Sequence, residues 1–174
     1  NGVFFSNYNR KSEVSDCHME NIGGSGVCFV GDPAAVRSPL FEYNQSQNYD
    51  QIDLKPGPKN NSYPAEFKVY NNLMHDLGRV EKQVAGVQLS MSMDILVSHN
   101  TIYNVPRSGI NVSEGTWGGH IIEFNDVYNT VLETGDHGAF NSWGRDRFWH
   151  PNREEMDRLA RAHPELILLD AQKT

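Results

Sequence analysis

The 174-residue chain carries 22 acidic and 15 basic side chains, a formal net charge of −7, and so lacks the basic footprint of a general nucleic-acid binder. It has no apolar run of about 18 residues that would span a membrane as a helix, and its length fits one ordinary domain. Cys17 and Cys28 are too few for a disulfide scaffold and are expected as free thiols. The seven histidines form no H-x-H or H-E-x-x-H pattern, so no metal site is expected. The chain opens on Asn1 without a basic start and apolar stretch, so a processed chain or a segment of a longer protein is expected.

Four segments align along the chain: CHMENIGGSGVCF from Cys17, NNLMHDLGRVEKQVAGVQL from Asn71, NTIYNVPRSGINV from Asn100 and NDVYNTVLETGDHGAFN from Asn125. Each places an apolar residue two positions on (Met19, Leu73, Ile102, Val127), then Asn21, His75, Asn104 or Asn129. Each then reaches a glycine with a small or apolar partner: Gly26-Val27, Gly86-Val87, Gly109-Ile110 and Gly138-Ala139. Repeats of this size, with short alternating strands and frequent Asn and Gly, predict an all-β fold. The expected architecture is a right-handed parallel β-helix (solenoid) of about four coils with PbH1-type repeats, spanning residues 1–149. Asn71, Asn100 and Asn125 would stack as a ladder between coils. An antiparallel sandwich explains the alternation but not the recurring order.

Residues 32–65, rich in Pro, Asn, Ser and Gln, read as a long loop insertion between coils. Such insertions often lie on the binding face of a solenoid. Residues 150–174 read as a helical excursion, with a short C-terminal helix from Asn152 to Ala162. The apolar run Leu166–Leu169 after it has little to bury against within four coils. The remaining coils of a longer chain are therefore expected as a partner, and the isolated segment is expected to self-associate.

ETGDHGAFNSWGRDRFW, residues 133–149, concentrates acids, a histidine, glycines, aromatics and arginines. Counting back from the repeat glycine sets Arg107 and Asp136 on equivalent positions of adjacent coils. An arginine there favours the ionised carboxylate, which suits a base or nucleophile; a structural Asp–Arg pair fits the same spacing. Glycoside hydrolysis needs two carboxyls, about 5–5.5 Å apart for retention and about 6.5–9.5 Å for inversion. Candidate catalytic partners for Asp136 are Asp146, Glu133 and Asp94, and Glu114 lies at a neighbouring turn. Candidate substrate contacts are His137, Arg107, Asn111, Glu114, Phe140 and Arg145, with Trp117 and Trp143 as exposed platforms beside glycines. Arg145 and Arg147 bracket Asp146, to bind a substrate carboxylate or to hold Asp146. Alternation along the last strand points Ala139 and Asn141 inward and Phe140 and Ser142 outward. Turn caps and a solvated strand face account for many of these residues as well.

VSHNTIYNVPRSGINV and GTWGGHIIEFNDVYNTVLETGDHGAFNSWGRDRFW, with the spacing between them, resemble carbohydrate-active parallel β-helix proteins, and most closely glycoside hydrolase family 141. The resemblance covers about residues 65–149. It implies two acidic catalytic residues, Asp136 the first of them, no obligatory cofactor, and a polysaccharide or oligosaccharide substrate of plant or microbial origin. It also implies a secreted or periplasmic location. Two other readings remain open: a polysaccharide lyase acting on uronate-containing glycans, with Arg107, Arg145 or Arg147 stabilising charge, and a non-catalytic glycan-binding or structural scaffold.

Overall fold

The computed structural model describes all residues except Phe41, Gly115, Thr116, Arg145 and 171–174. In chain order its strands are β1 (Val3–Ser6), β2 (Asn9–Arg10), β3 (Glu13–Ser15), β4 (His18–Glu20), β5 (Val27–Val30), β6 (Pro64–Tyr70), β7 (Leu73–His75), β8 (Ala85–Ser90), β9 (Met93–Ser98), β10 (Thr101–Tyr103), β11 (Ser108–Val112), β12 (Ile121–Glu123), β13 (Asp126–Tyr128) and β14 (Phe140–Ser142). They form three parallel sheets, ordered β1-β5-β8-β11-β14, β13-β10-β7-β4 and β12-β9-β6-β2, with β3 also paired to β6. The chain visits the sheets in a fixed rotation: the first pass places both β2 and β3 beside β6, and from β4 onward each pass adds one strand to each sheet. One α-helix, α1, spans Arg153–Ala162, with the Asn152 side chain accepting from the Glu154 and Glu155 N–H groups.

The expected class is corrected accordingly. In place of one right-handed β-helix of about four coils with PbH1-type repeats, the fold is described by three layered parallel sheets, of five, four and five strands, and a short helix. The repeat pattern reports that strands stack, but not how bends divide them into sheets. Those bends are fixed residue by residue. Asp16, Asn71, His99 and Phe124 take φ of +54°, +53°, +58° and +53° at one corner, and Asn21, Asp76, Asn104 and Asn129 do likewise at the next. Asn and Asp tolerate this left-handed conformation best among residues with a Cβ, whereas His and Phe are held there by their surroundings. Residues 3–15 already supply three strands.

The core lies between the sheets. In β6, Ala65, Phe67 and Val69 are buried while Glu66, Lys68 and Tyr70 face out, the period-two pattern of a half-buried strand. Phe29, Phe67, Met74, Leu89, Ile95, Ile102 and Ile110 fill the centre. Each such side chain contributes about 1.5–3 kcal/mol by leaving water. Between β12, β13 and β14 a hollow of about 540 Å³ remains, lined by Ile110, Ile122, Val127, Ala139 and Phe140 among others.

An asparagine ladder fixes the register, but its first member is Asn72 rather than the expected Asn71. Asn72 Nδ2 donates to Asn100 Oδ1 at 2.9 Å and Asn100 Nδ2 to Asn125 Oδ1 at 2.9 Å. The same carbonyl oxygens accept the backbone N–H groups of Asn72 and Asn100 at 3.1 and 3.0 Å. Asn71 turns outward and donates to Asp16 instead. The last repeat is also displaced by one residue. Ile110 pairs with Phe140 and Asn111 with Asn141, so Ala139, not Gly138, follows Gly26, Gly86 and Gly109 in the column.

The insertion and the C-terminal segment pack on each other. Ile52, Leu166 and Leu169 form a separate buried cluster with Tyr49, Phe148 and Leu159. The apolar run therefore finds its cover in the insertion, not at an end of the sheets. Arg147, 1% exposed, ties the pieces together. It binds the Asp170 carboxylate and the carbonyls of Asp53, Lys55, Gly57 and Leu169.

Replacing Asn100 by alanine strips acceptors from two donors of Asn72 and should cost on the order of 3 kcal/mol. Exposed Asn129→Ala, outside the ladder, should cost only the left-handed backbone preference of asparagine, about 1 kcal/mol. Urea unfolding of the two variants against the parent measures both. Arg147→Ala leaves Asp170 and four carbonyls without their donor. Limited proteolysis should then cut first within residues 45–60 or 160–170, before the sheets.

Candidate functional site

The motif around Gly135 and Gly138 builds a cleft of about 410 Å³ lined by Tyr43, Gln83, Arg107, Asp136, His137, Asn141 and Trp143. Arg107 stands at the entry to β11, and its backbone carbonyl accepts the Val131 N–H at 2.8 Å. Pro106 O accepts the Glu133 N–H and the Thr134 hydroxyl, pinning the loop that leads to Asp136. β14 brings Asn141 beside Asn111, and the Trp143 N–H pairs with Val112 O. Tyr43 arrives from the insertion, its ring centroid 6.4 Å from that of Trp143 and 5.8 Å from that of Trp149.

Because of the one-residue displacement, the rung neighbour of Arg107 is His137. Arg107 Nη2 lies 2.5 Å from His137 Nε2, and Asp136 Oδ1 lies 2.7 Å from His137 Nδ1. With the proton on Nδ1 the ring donates to Asp136 and accepts from Arg107 Nη2 at Nε2, and the longer 3.3 Å approach of Arg107 Nε to Nδ1 is then not a hydrogen bond. His137 therefore stands between the arginine and the acid expected to pair directly. It does so at φ +102°, a strained conformation of the kind that persists only where surroundings impose it. The Asp136 side chain is 81% exposed, so its carboxylate faces solvent in the cleft mouth.

The other candidate acids lie outside this cleft lining. Glu133 holds Lys82 at 2.9 Å on the surface. Asp94 sits in β9 at a bend, φ +54°, near His120. Asp146 follows the cleft in sequence. Crowding by protein, and then the Asp170 carboxylate, push its carboxyl upward. Asp146 still keeps solvent-exposed surface, so this is not the large rise of a carboxyl sealed in a core. Glu114 is half-buried where its carbonyl accepts the Met91 N–H.

Several expected substrate contacts have other positions. Trp117 is 1% exposed and packs on Tyr63, with Ala35, Ala65 and Met93 around it, so it is core and not a platform. Asn111 is buried in a polar ladder, accepting from Asn141 at 2.7 Å and donating to Gln88 at 2.8 Å. Gln88 passes this chain to Ser90 and Ser113. Phe140 continues the apolar Ile110 column and is exposed only because no strand covers it. Arg147 is consumed by Asp170 and the carbonyls described above, so it neither meets a substrate carboxylate nor holds Asp146. Arg145 lies outside the described residues. Trp143 does line the cleft, and its buried indole N–H has no hydrogen-bond partner.

The sequence reading missed Tyr43, Gln83 and Asn141 as cleft residues. Only the aromatic within the insertion gave a signal for Tyr43, whereas Asn141 was assigned inward through the displaced alignment. On another sheet, His18, Glu20 and His75 bring three ligand atoms within 4.8 Å of one another, the one group among the described residues with the donors to hold a metal ion. No described helix is long and apolar enough to cross a membrane. No protein-family model, curated protein or solved structure matches the chain.

His120, at the edge of the apolar hollow, has its pKa lowered to about 4 by burial, which the Asp94 charge partly opposes. Its Nδ1 accepts the Ile95 N–H at 3.2 Å. The folded state thus prefers the neutral ring. The resulting stability is complete above pH 6.5 and is lost as pH falls toward 4, by at most about 3 kcal/mol because the ring keeps some solvent contact. His120→Asn should flatten the rise of unfolding free energy with pH across that window, measured by urea titration at half-unit steps.

Proposed function

We propose that the chain is a carbohydrate-active protein that binds an oligosaccharide or polysaccharide in the Tyr43–Trp143 cleft, with glycoside hydrolysis at Asp136 as its reaction. The observation that carries this reading is the composition of the cleft. Two aromatic rings stand beside Arg107, Gln83, Asn141 and Asp136 in one open depression. Sugar C–H faces pack on aromatic rings, and sugar hydroxyls need both donors and acceptors, which these amides and charges supply. An open cleft suits a chain-like ligand better than an enclosed cavity does. The resemblance of residues 65–149 to glycoside hydrolase family 141 supports the same reading, and a secreted or periplasmic location goes with it.

In this reading Asp136 acts on the bound glycan from the exposed cleft mouth. His137 orients its carboxylate, and Arg107 in turn fixes the His137 ring. The other expected acids, Asp146, Glu133 and Asp94, lie outside the cleft lining, so the reading rests on Asp136 and names no second carboxyl. A polysaccharide lyase is the second reading, favoured by the Arg107–His137 contact: a histidine next to a guanidinium resembles a base beside a carboxylate-binding group.

A panel of neutral and uronate-containing polysaccharides tests these readings. New reducing ends without ultraviolet absorbance are expected. Absorbance from an unsaturated uronide would replace hydrolysis with elimination, and binding without turnover across the panel would reduce the cleft to a recognition site. Asp136→Asn should lower turnover by about 10²-fold or more with the fold intact. Trp143→Ala should weaken glycan binding about tenfold, equivalent to about 1.4 kcal/mol.

A further inference from the structure

We propose that His18, Glu20 and His75 form a binding site for one divalent transition-metal ion, zinc being the best match, on the four-stranded sheet away from the cleft. His18 and Glu20 alternate on β4 and so project from the same face. β7 lies beside β4 in register, with His75 opposite Glu20. The result is a triangle of ligand atoms. His18 Nε2 and His75 Nε2 are 2.8 Å apart, and Glu20 Oε2 lies 3.8 and 3.7 Å from them. Two ligands at about 2.0–2.1 Å from a tetrahedral zinc ion stand about 3.3 Å apart. The triangle therefore needs adjustments of about half an ångström, within reach of two exposed side chains.

The surroundings of His75 favour a ligand role over a chance ion pair. Its Nδ1 lies 2.6 Å from Asp76 Oδ2, which requires the proton on Nδ1 and leaves the Nε2 lone pair directed at His18 and Glu20. A carboxylate on the far nitrogen is the usual device for fixing a metal-bound imidazole. Asn104 holds the other Asp76 oxygen at 3.3 Å. The ring is stacked on Tyr103 with centroids 4.7 Å apart and planes 7° from parallel, and Tyr103 on Tyr128 at 5.0 Å. His75 is thus held from one side and one edge, and only its Nε2 faces the triangle. Two imidazoles and one carboxylate suit zinc, and three protein ligands leave at least one coordination position for water or an external ligand. The site spans adjacent strands, so a bound ion also clamps β4 to β7. It does not depend on the glycan reading of the cleft.

Isothermal titration of the chelator-treated protein with zinc chloride tests this, in a Cys17→Ser background that removes the one exposed thiol. One equivalent should bind, and the melting temperature should rise with zinc. Cobalt in place of zinc should give the visible absorption bands of a tetrahedral ion. His18→Ala, an exposed change that leaves the fold intact, should weaken binding at least 100-fold, and Asp76→Asn by about 10- to 100-fold. His150→Gln, at a surface histidine outside the triangle, should leave affinity unchanged. Absence of zinc binding by the parent protein overturns the proposal. So does affinity that is unchanged in His18→Ala, or that falls as far in His150→Gln.

Discussion

The buried amide column Asn72–Asn100–Asn125 is the constraint on which the rest of the structure depends. Each carboxamide sits where a strand has just turned a corner; Asn72 and Asn100 are out of reach of water, and Asn125 is half-buried at the edge of the apolar hollow. The carbonyl oxygens of Asn100 and Asn125 each accept two N–H groups from the neighbouring circuit, one from the backbone and one from a side chain, and that of Asn72 accepts the Cys17 N–H. The remaining amide proton goes to a strand carbonyl, Val14, Val69 or Val97. Such a column tolerates no displacement, because a one-residue shift would bury unpaired polar groups and turn every apolar side chain out of the core. Register between circuits is therefore set at this corner, and the strands downstream inherit it.

That inheritance places the chemistry. With Asn100 opposite Asn125, Ile102 meets Val127, and the loop that follows delivers Arg107 to His137. The polar ladder Gln88–Asn111–Asn141 runs from the buried strand face to the cleft wall. Its members are satisfied by each other, which lets amides occupy a strand position otherwise given to apolar residues. Only its last member reaches the cleft. On the sheet beginning with β4, the same stacking sets His18 and Glu20 of one strand against His75 of the next, although 55 or more residues separate them in the chain.

A second constraint acts on what lies outside the sheets. Arg147 is wholly buried, and its guanidinium is satisfied by one carboxylate and four carbonyls drawn from the insertion and the C-terminal segment. A buried guanidinium is stable only when its donors are filled. The insertion and the segment around Leu166–Leu169 are thereby held in one arrangement beside the cleft. Gln47 donates to Arg147 O and Trp149 to Tyr43 O, so the backbone carrying Tyr43 is tied to the strand exit that carries Trp143. The aromatic pair of the cleft is a consequence of this arrangement.

By itself the sequence determined the stacking of short parallel strands, an asparagine-rich corner, the short helix near residues 152–162 and the concentration of reactive side chains between Glu133 and Trp149. These are local or periodic properties, carried by alternation, turn residues and capping groups. Tertiary structure decided which of two adjacent asparagines enters the ladder, since Asn71 and Asn72 are chemically equal and only the register distinguishes inside from outside. It divided each circuit among three sheets through bends at residues such as His99 and Phe124, whose side chains do not announce a left-handed backbone. It buried Trp117 and Arg147, which neighbouring glycines and charges had marked as surface. It also set His137 between Arg107 and Asp136. Loops of unequal length join the repeats, so spacing along the chain leaves the last strand free to shift by one residue. Only the packing of Ile110 on Phe140 and Asn111 on Asn141 settles which side chains face each other.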